Sequence, residues 1–482
     1  VSILAFKHGV YGTLEPSTDS LPPSGVGTLP IYIGTAPVQQ LANPAAAVNV
    51  PITLNNYDDA VSKIGYSDDW TTFTLSEVVY AHFKNRIQPI GPIIVINVMD
   101  PTVHSSPEAK SVAIVNGVGY IDEPVVLESI EIEDKVRGTD YEATYVNGGR
   151  VKISALPGKT LDNPTSVTYN KMDVSTVQTS DIIGGNTDGV RTGMAVVDLV
   201  YQKLNQVPTI LAAPGWSQIK EIKVAMVTKA QKVNGHWDAV VLADLDVSAA
   251  TATIAQAINW KETNGYTDVP LKVGWPKASV AGRTFWSSTI MGVRMQQTDF
   301  ANDNVPSESP SNKRVDVTAT VLGDGTEISF DELQANELNA EGITTFNFRD
   351  GIWVLWGPHN ANYKYGTEIK PEDTFDASIR MARYLTNTFQ RRYGAEVDGP
   401  LNRSKVDTIL NDAGVWLNGL VADGHLLSAS INFNETSNPV SSMVEGDFVF
   451  DVLNTNTPVA KSLTFRVRYT TEGLSTLFGG ES

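Results

Sequence analysis

The chain of 482 residues predicts a multidomain α/β and α+β protein, with a mostly parallel α/β sheet domain, a small β domain inserted in it and a C-terminal α+β domain with antiparallel strands. Three observations carry this. Short apolar runs alternate with helical patterns between residues 29 and 275, as expected of strands buried on both faces of a parallel sheet. Between residues 111 and 169 the helical patterns disappear and strand-like runs follow one another. From residue 427 onward apolar and polar residues alternate, which gives strands with one buried and one wet face. The expected division is an extended N-terminal arm (1–27), a first part of the α/β domain (28–105), the inserted β domain (106–173), a second α/β part with a hairpin (174–360), the C-terminal α+β domain (361–460) and a C-terminal arm (461–482).

Taken in order, the arm contains TLEPSTDSLPPSGVG, rich in Pro, Ser and Gly, and cannot bury enough surface to fold alone. The α/β pattern opens with a strand at 29–34, helices at 57–64 and 75–83 and a strand at 92–98. The insertion holds strand-like runs at 112–115, 125–132, 141–145 and 151–153, with Asn147-Gly148-Gly149 as a hairpin turn. The α/β pattern resumes with a helix at 190–204, a strand at 209–213, a helix at 218–232, a strand at 239–243, a helix at 249–260 and a strand at 271–275. Residues 337–340 read as a last helical turn stopped by Gly342. Runs 343–348 and 352–356 flank Arg349-Asp350-Gly351, whose Asp-Gly pair supplies the positive φ of a hairpin. In the C-terminal part Leu427, Ala429, Ile431 and Phe433 alternate with polar neighbours, as do Phe448, Phe450 and Val452, and Leu463, Phe465, Val467 and Tyr469.

The net charge of −18 argues against direct nucleic-acid binding, which needs clustered cations facing phosphate. With no cysteine, disulfides and thiolate metal sites are excluded. The run 93–98 is far shorter than the roughly 20 apolar residues of a membrane span, so no membrane association is expected. The chain reads as soluble and non-secreted, with Val1 left by initiator methionine removal.

Motifs for chemistry are sparse. Gly184-Gly185-Asn186-Thr187-Asp188-Gly189 lacks the lysine of a phosphate loop and reads as a glycine-rich loop capping a helix through Asp188. Asp244 and Asp246 follow a strand, where α/β proteins place ligands, yet only His236 is near in sequence; Asp246 is expected to cap the next helix. Ala213-Pro214-Gly215-Trp216-Ser217 is a strand-to-helix turn with no glycine after the serine. No catalytic, cofactor-binding or metal-binding residue is assigned, and no enzyme activity is expected. An α/β hydrolase-like enzyme using Asp244 and Asp246 is the alternative.

One helix carries a basic stripe. At 100° per residue Arg380, Arg383 and Arg391 share a face opposite Phe375, Ile379, Ala382, Leu385 and Phe389, and between 376 and 405 six basic residues stand against three acidic ones. By itself this is a solvated helix face.

Several segments together resemble the contractile phage tail sheath family, of phage tails or phage-tail-like bacteriocins. They are His8-Gly9-Val10-Tyr11, the strand from Leu29 to Gly34 followed by Thr35-Ala36, Leu338-Asn339 with Gly342-Ile343, and the strand ending in Trp356-Gly357, followed by a helical pair and closing strands. Where related sheaths often carry an Arg-Thr pair, this chain has Pro358-His359-Asn360. The resemblance implies a structural subunit that polymerises as stacked hexameric rings around the tail tube and contracts to drive the tube through the host envelope. It implies as partners other copies of the chain, the tail tube protein, and baseplate and tail terminator proteins. The location implied is the virion tail sheath, assembled in the bacterial host cytoplasm. A secretion-system sheath component is a second alternative. The resemblance also turns Arg380, Arg383, Arg391 and Arg392 into a tube-facing set, because the C-terminal domain of sheaths lies innermost. Val1, Ile3, Leu4 and Phe6, with Leu463, Phe465, Val467 and Tyr469, become inter-subunit arms that add strands to a neighbour's sheet.

Overall fold

A computed structural model describes residues 27–146 and 149–478. Its centre is an eight-stranded mixed sheet formed by β1 (Pro30–Gly34), β2 (Pro51–Leu54), β3 (Ile93–Asn97), β4 (Ile210–Ala212), β5 (Val240–Asp244), β6 (Leu271–Gly274), β7 (Ile343–Arg349) and β8 (Ile352–Trp356). The spatial order is β8-β7-β6-β5-β4-β1-β3-β2. The six inner strands are parallel, and an antiparallel strand closes each end.

Eight α-helices of eight residues or more lie among the described residues: α1 (Tyr57–Ile64), α2 (Thr74–Phe83), α3 (Lys220–Ala230), α4 (Ile254–Asn264), α5 (Ser287–Phe300), α6 (Glu332–Ala340), α7 (Asp376–Tyr393) and α8 (Arg403–Ala422). Successive side chains of a strand point to opposite faces, so each inner strand feeds two cores. Ile31, Ile33, Leu211, Val241 and Ala243 pack with Ile222, Met226, Ala257 and Leu338 of α3, α4 and α6. Tyr32, Ile210, Ala212, Val240 and Leu242 pack on the other side with Ile64, Leu75, Val79, Met291 and Met295 of α1, α2 and α5.

Local chemistry explains most boundaries. Asn56 caps α1 by accepting from the Asp59 amide, and Gly65 ends it at φ 75°. Thr253 with Gln256, and Asp331 with Gln334, form capping boxes at the starts of α4 and α6. Asp246 is therefore no helix cap. Its carboxylate accepts from the Ser248 hydroxyl at 2.5 Å instead.

The helix expected at 190–204 is mostly something else. Asp188 (φ 52°) and Gly189 (φ 86°) form a two-residue turn between strands Gly185–Thr187 and Val190–Thr192, followed by a 3-10 stretch Gly193–Leu199 and one α-turn Val200–Leu204. Asp188 thus closes a hairpin and caps nothing. Helix α5 escaped the pattern altogether, because Ser287, Ser288, Thr289, Gln296, Gln297, Thr298 and Asp299 are buried along with its apolar residues. A helix buried all round shows no apolar stripe.

The segment from Ser105 to Met172 forms two three-stranded antiparallel sheets with a separate core around Ile121, Tyr141, Val151, Ile153 and Val167. Its longest pair, Ser105–Val112 against Thr165–Met172, brings chain entry and exit together, with Ser105 opposite Met172. Asn147 and Gly148 of the expected turn lie outside the described residues, and strands Tyr141–Tyr145 and Val151–Ala155 pair antiparallel on either side of them.

In the C-terminal part, α7 and α8 pack with the antiparallel pair Leu426–Asn432 and Asp451–Asn456. A register shift between Leu426 and Ser428 changes the phase of the first strand, so Leu426 is buried while Leu427, expected inside, is 57% exposed. Phe448 and Phe450 precede the second strand rather than belonging to it. The run 463–470 forms no strand within the chain, and its expected buried face is in water.

Candidate assembly surfaces

In a doubly wound sheet the place for a ligand is beyond the C-terminal ends of the strands where the order reverses, here between β1 and β4. That place is filled. A Cβ on Gly34 would collide with the Thr74 hydroxyl, and one on Gly215 would meet Thr74 Cγ2 at 3.0 Å and Trp286 Nε1 at 3.2 Å. Asp244, at the end of β5, is buried; it accepts from the Ser288 amide at 2.8 Å and from the Ser217 hydroxyl at 3.1 Å. Burial pushes its carboxyl up to about 6. His236 is far from this group and bonds Gln390 at 2.8 Å. Ser217 thus holds Asp244, and the carboxylate is spent on Ser217 and Ser288 inside the fold, with no histidine bonded to either group among the described residues. Among the described residues no group of three or more His, Cys, Asp or Glu side chains is placed to hold a metal ion.

Close by, the buried Glu77 of α2 accepts from the Trp286 amide at 2.7 Å, and burial, opposed by Lys277, raises its carboxyl to about 7. The protonated acid is the form the fold prefers. Stability from this group is fully present below the ordinary carboxylate range and is lost as pH rises through about 7. Relative to Glu77→Gln, which keeps the carbonyl acceptor and cannot ionise, the natural chain is expected to lose about 3 kcal/mol between pH 4.5 and 8. Urea midpoints of both proteins across that range check this; parallel profiles would mean that Glu77 does not titrate in the window.

The opposite, N-terminal ends of the strands carry the seat of the C-terminal domain. Here the arginine stripe of α7 is corrected: much of it points into the molecule. Arg380 is 5% exposed and its Nη2 donates to buried Asp299 of α5. Arg383 Nε donates to the Ala239 carbonyl at 3.2 Å; burial lowers its pKa while Asp238 opposes the fall. Arg392 pairs with Asp412 of α8 at 3.1 Å and lies over the Trp416 ring. Arg391 is half-buried beside Gly27, Phe300 and Asn304. Of the wheel's apolar face Ile379 and Leu385 are buried but Ala382 is exposed, and a wheel cannot tell a solvated basic face from one that meets backbone carbonyls and a buried carboxylate.

Two further contacts complete this junction. Lys272 of β6 is 1% exposed; its ammonium donates to the carbonyls of Gly357 at 2.8 Å and His359 at 3.0 Å and pairs with Asp376 Oδ2 at 2.9 Å. Burial pushes the Lys272 pKa down and Asp376 raises it again. The chain after α5 then enters the C-terminal domain: Val305 joins its apolar core, Ser307 bonds His425 at 2.9 Å and the Ser309 hydroxyl donates to Asp376 at 2.9 Å. Sequence reasoning passed over Lys272, although a lysine inside the apolar run 271–275 was the available signal.

At the other end of the domain, Leu463, Phe465, Val467 and Tyr469 are 73%, 84%, 93% and 85% exposed. Lys461, just before them, donates to the Tyr363 hydroxyl at 3.2 Å. Val1, Ile3, Leu4 and Phe6 lie outside the described residues.

No protein-family model matches the chain. The tail sheath protein of Burkholderia phage BcepMu is 27% identical over 499 aligned residues, covering 98% of this chain and 99% of that protein. The tail sheath protein of Escherichia phage P2 is 24% identical over 311 residues, 62% of this chain and 73% of that one. Among solved structures, a chain of the contracted sheath complex of the PVC extracellular contractile injection system superposes with a TM-score of 0.58 at 12% identity, covering 98% of this chain and 100% of that one. A chain of the anti-feeding prophage baseplate gives 0.57 at 12% identity, with coverages of 96% and 100%. At such identity the two structures show a shared fold. No helix among the described residues is long and apolar enough to cross a membrane. The chain is thus similar over nearly its whole length to a phage tail sheath protein, over about three fifths of it to another, and shares the fold of chains from contractile injection systems.

Proposed function

We propose that copies of this chain stack as hexameric rings around a tail tube, bound at the ends by baseplate and tail terminator proteins, and that the rings rearrange to drive the tube through the host envelope. The observation that carries the self-assembly is the segment 463–470, which keeps strand periodicity and places four large apolar side chains in water on an otherwise folded subunit. An exposed run of this kind fits the free edge of another chain's sheet, where main-chain hydrogen bonds supply affinity and alternate side chains supply register. The N-terminal residues 1–27 are proposed as the second inter-subunit tie. Of the four arginines considered for the tube, Arg391 is the one we retain, since Arg380, Arg383 and Arg392 are engaged within the chain. Purified full-length protein, concentrated and viewed by negative-stain electron microscopy, is expected to show cylinders or helical sheaths. Only discrete particles at every concentration and salt would count against the reading.

A further inference from the structure

Asp299 stands where three parts of the molecule meet. Its Oδ2 accepts from the hydroxyl of Thr28, the second described residue and the point where the N-terminal segment joins β1, and also from Arg380 of the C-terminal domain. Arg380 Nη2 is 3.4 Å from the same Thr28 hydroxyl. The Asp299 carbonyl accepts from the amides of Asn302 at 2.9 Å and Asn304 at 2.7 Å, starting the turn that carries Val305 and Ser307 into the C-terminal domain. Asp299 Oδ1 and Arg380 Nη1 are both buried and have no hydrogen-bond partner among the described residues. The pair is thus held by one oxygen and one nitrogen, and Thr28 shares that oxygen. A fully buried carboxylate has no water to turn to. Moving either donor therefore changes what the other meets.

We propose that Asp299 is a positioning residue that couples the root of the N-terminal segment to the seat of the C-terminal domain, so that a displacement at Thr28 is felt at Arg380 and the reverse. This rests on the reading of residues 1–27 as an inter-subunit tie: a pull on the tie would reach the C-terminal domain through this carboxylate instead of only through the sheet. Binding linkage of this kind is reciprocal, and reciprocity is what separates it from local packing.

The test is hydrogen exchange on the full-length soluble chain, read by mass spectrometry at peptides spanning 27–33 and 376–385. Thr28→Val keeps the side-chain volume and removes the hydroxyl; it is expected to speed exchange about fivefold at both peptides, the scale of one hydrogen bond of ordinary net strength. Arg380→Gln is expected to speed exchange at 27–33 as well as at its own helix. Effects confined to the peptide that carries each substitution would overturn the coupling. Should Arg380→Gln fail to fold, Thr28→Val alone decides, because its cross-effect on 376–385 is required. Neither readout needs assembly, so a negative result here leaves the sheath reading standing, and a failure to form cylinders leaves the coupling standing.

Discussion

Replacing Lys272 with alanine is expected to destabilise the chain by about 3–5 kcal/mol, the range for breaking one partner out of a fully buried pair. The ammonium satisfies three acceptors at once: Asp376 and the carbonyls of Gly357 and His359. Its loss leaves the buried Asp376 carboxylate without its counter-charge and takes the ammonium donor from two carbonyls, directly where the β8 strand hands over to α7. The first structure to go should be the seat of α7, seen as a lowered urea midpoint by circular dichroism and early proteolysis between 358 and 376. Substituting both partners, Lys272→Met with Asp376→Leu, should recover much of the loss, since matched apolar groups of similar volume need no partners. Because Asp376 also accepts from Ser309 at 2.9 Å, the recovery should be incomplete. A change below about 1 kcal/mol on Lys272→Ala, the scale of an exposed pair, would show that this junction is wetter than the 1% exposure of both side chains implies.

The same junction marks the limit of what the chain's letters reveal. Helix α1 is legible at Tyr57–Ile64 because its cap and its stop are local, Asn56 and Gly65. The hairpin of β7 and β8 is legible for the same reason, with Asp350 (φ 49°) and Gly351 (φ 80°) supplying the turn. Asp188-Gly189 carries the same signal and was absorbed into a helical reading, a competition between periodicity and turn chemistry that the turn won. What is not legible is set by partners distant in sequence. Arg380 finds Asp299 across 81 residues and Lys272 finds Gly357 across 85, and no window of local pattern contains both ends. Helix α5 is hidden for a related reason: its buried Ser288, Gln296 and Gln297 reach Asp244, Pro92 and Gln88 on other elements. The arm positions rest on the family resemblance, joined at 463–470 by alternation. At 463–470 the alternation is present, and no sheet among the described residues of the chain covers it.

Truncation after Lys461 is accordingly expected to leave the fold of the subunit unchanged and to abolish sheath formation. The removed run holds Leu463, Phe465, Val467 and Tyr469 at 73–93% exposure, so deleting it uncovers almost nothing in the subunit's own cores. Burying those four side chains against a neighbour, at about 25 cal/mol per Å² of apolar surface, is a large term for each contact, and it repeats at every subunit of a polymer. Helix content and thermal midpoint of the truncated protein should match the full chain, while electron microscopy should show separate particles under conditions that give the full chain cylinders. Replacing the four residues with serine should reproduce the defect with the chain length kept, whereas replacing Thr464, Arg466, Arg468 and Thr470, the alternate face, should weaken assembly far less. If the truncated protein still forms intact cylinders, the tail is not the tie, and lateral packing of the subunit bodies must hold the rings. If it loses helix content or melts lower, the tail serves its own subunit, and its exposure in the single chain misrepresents where it packs.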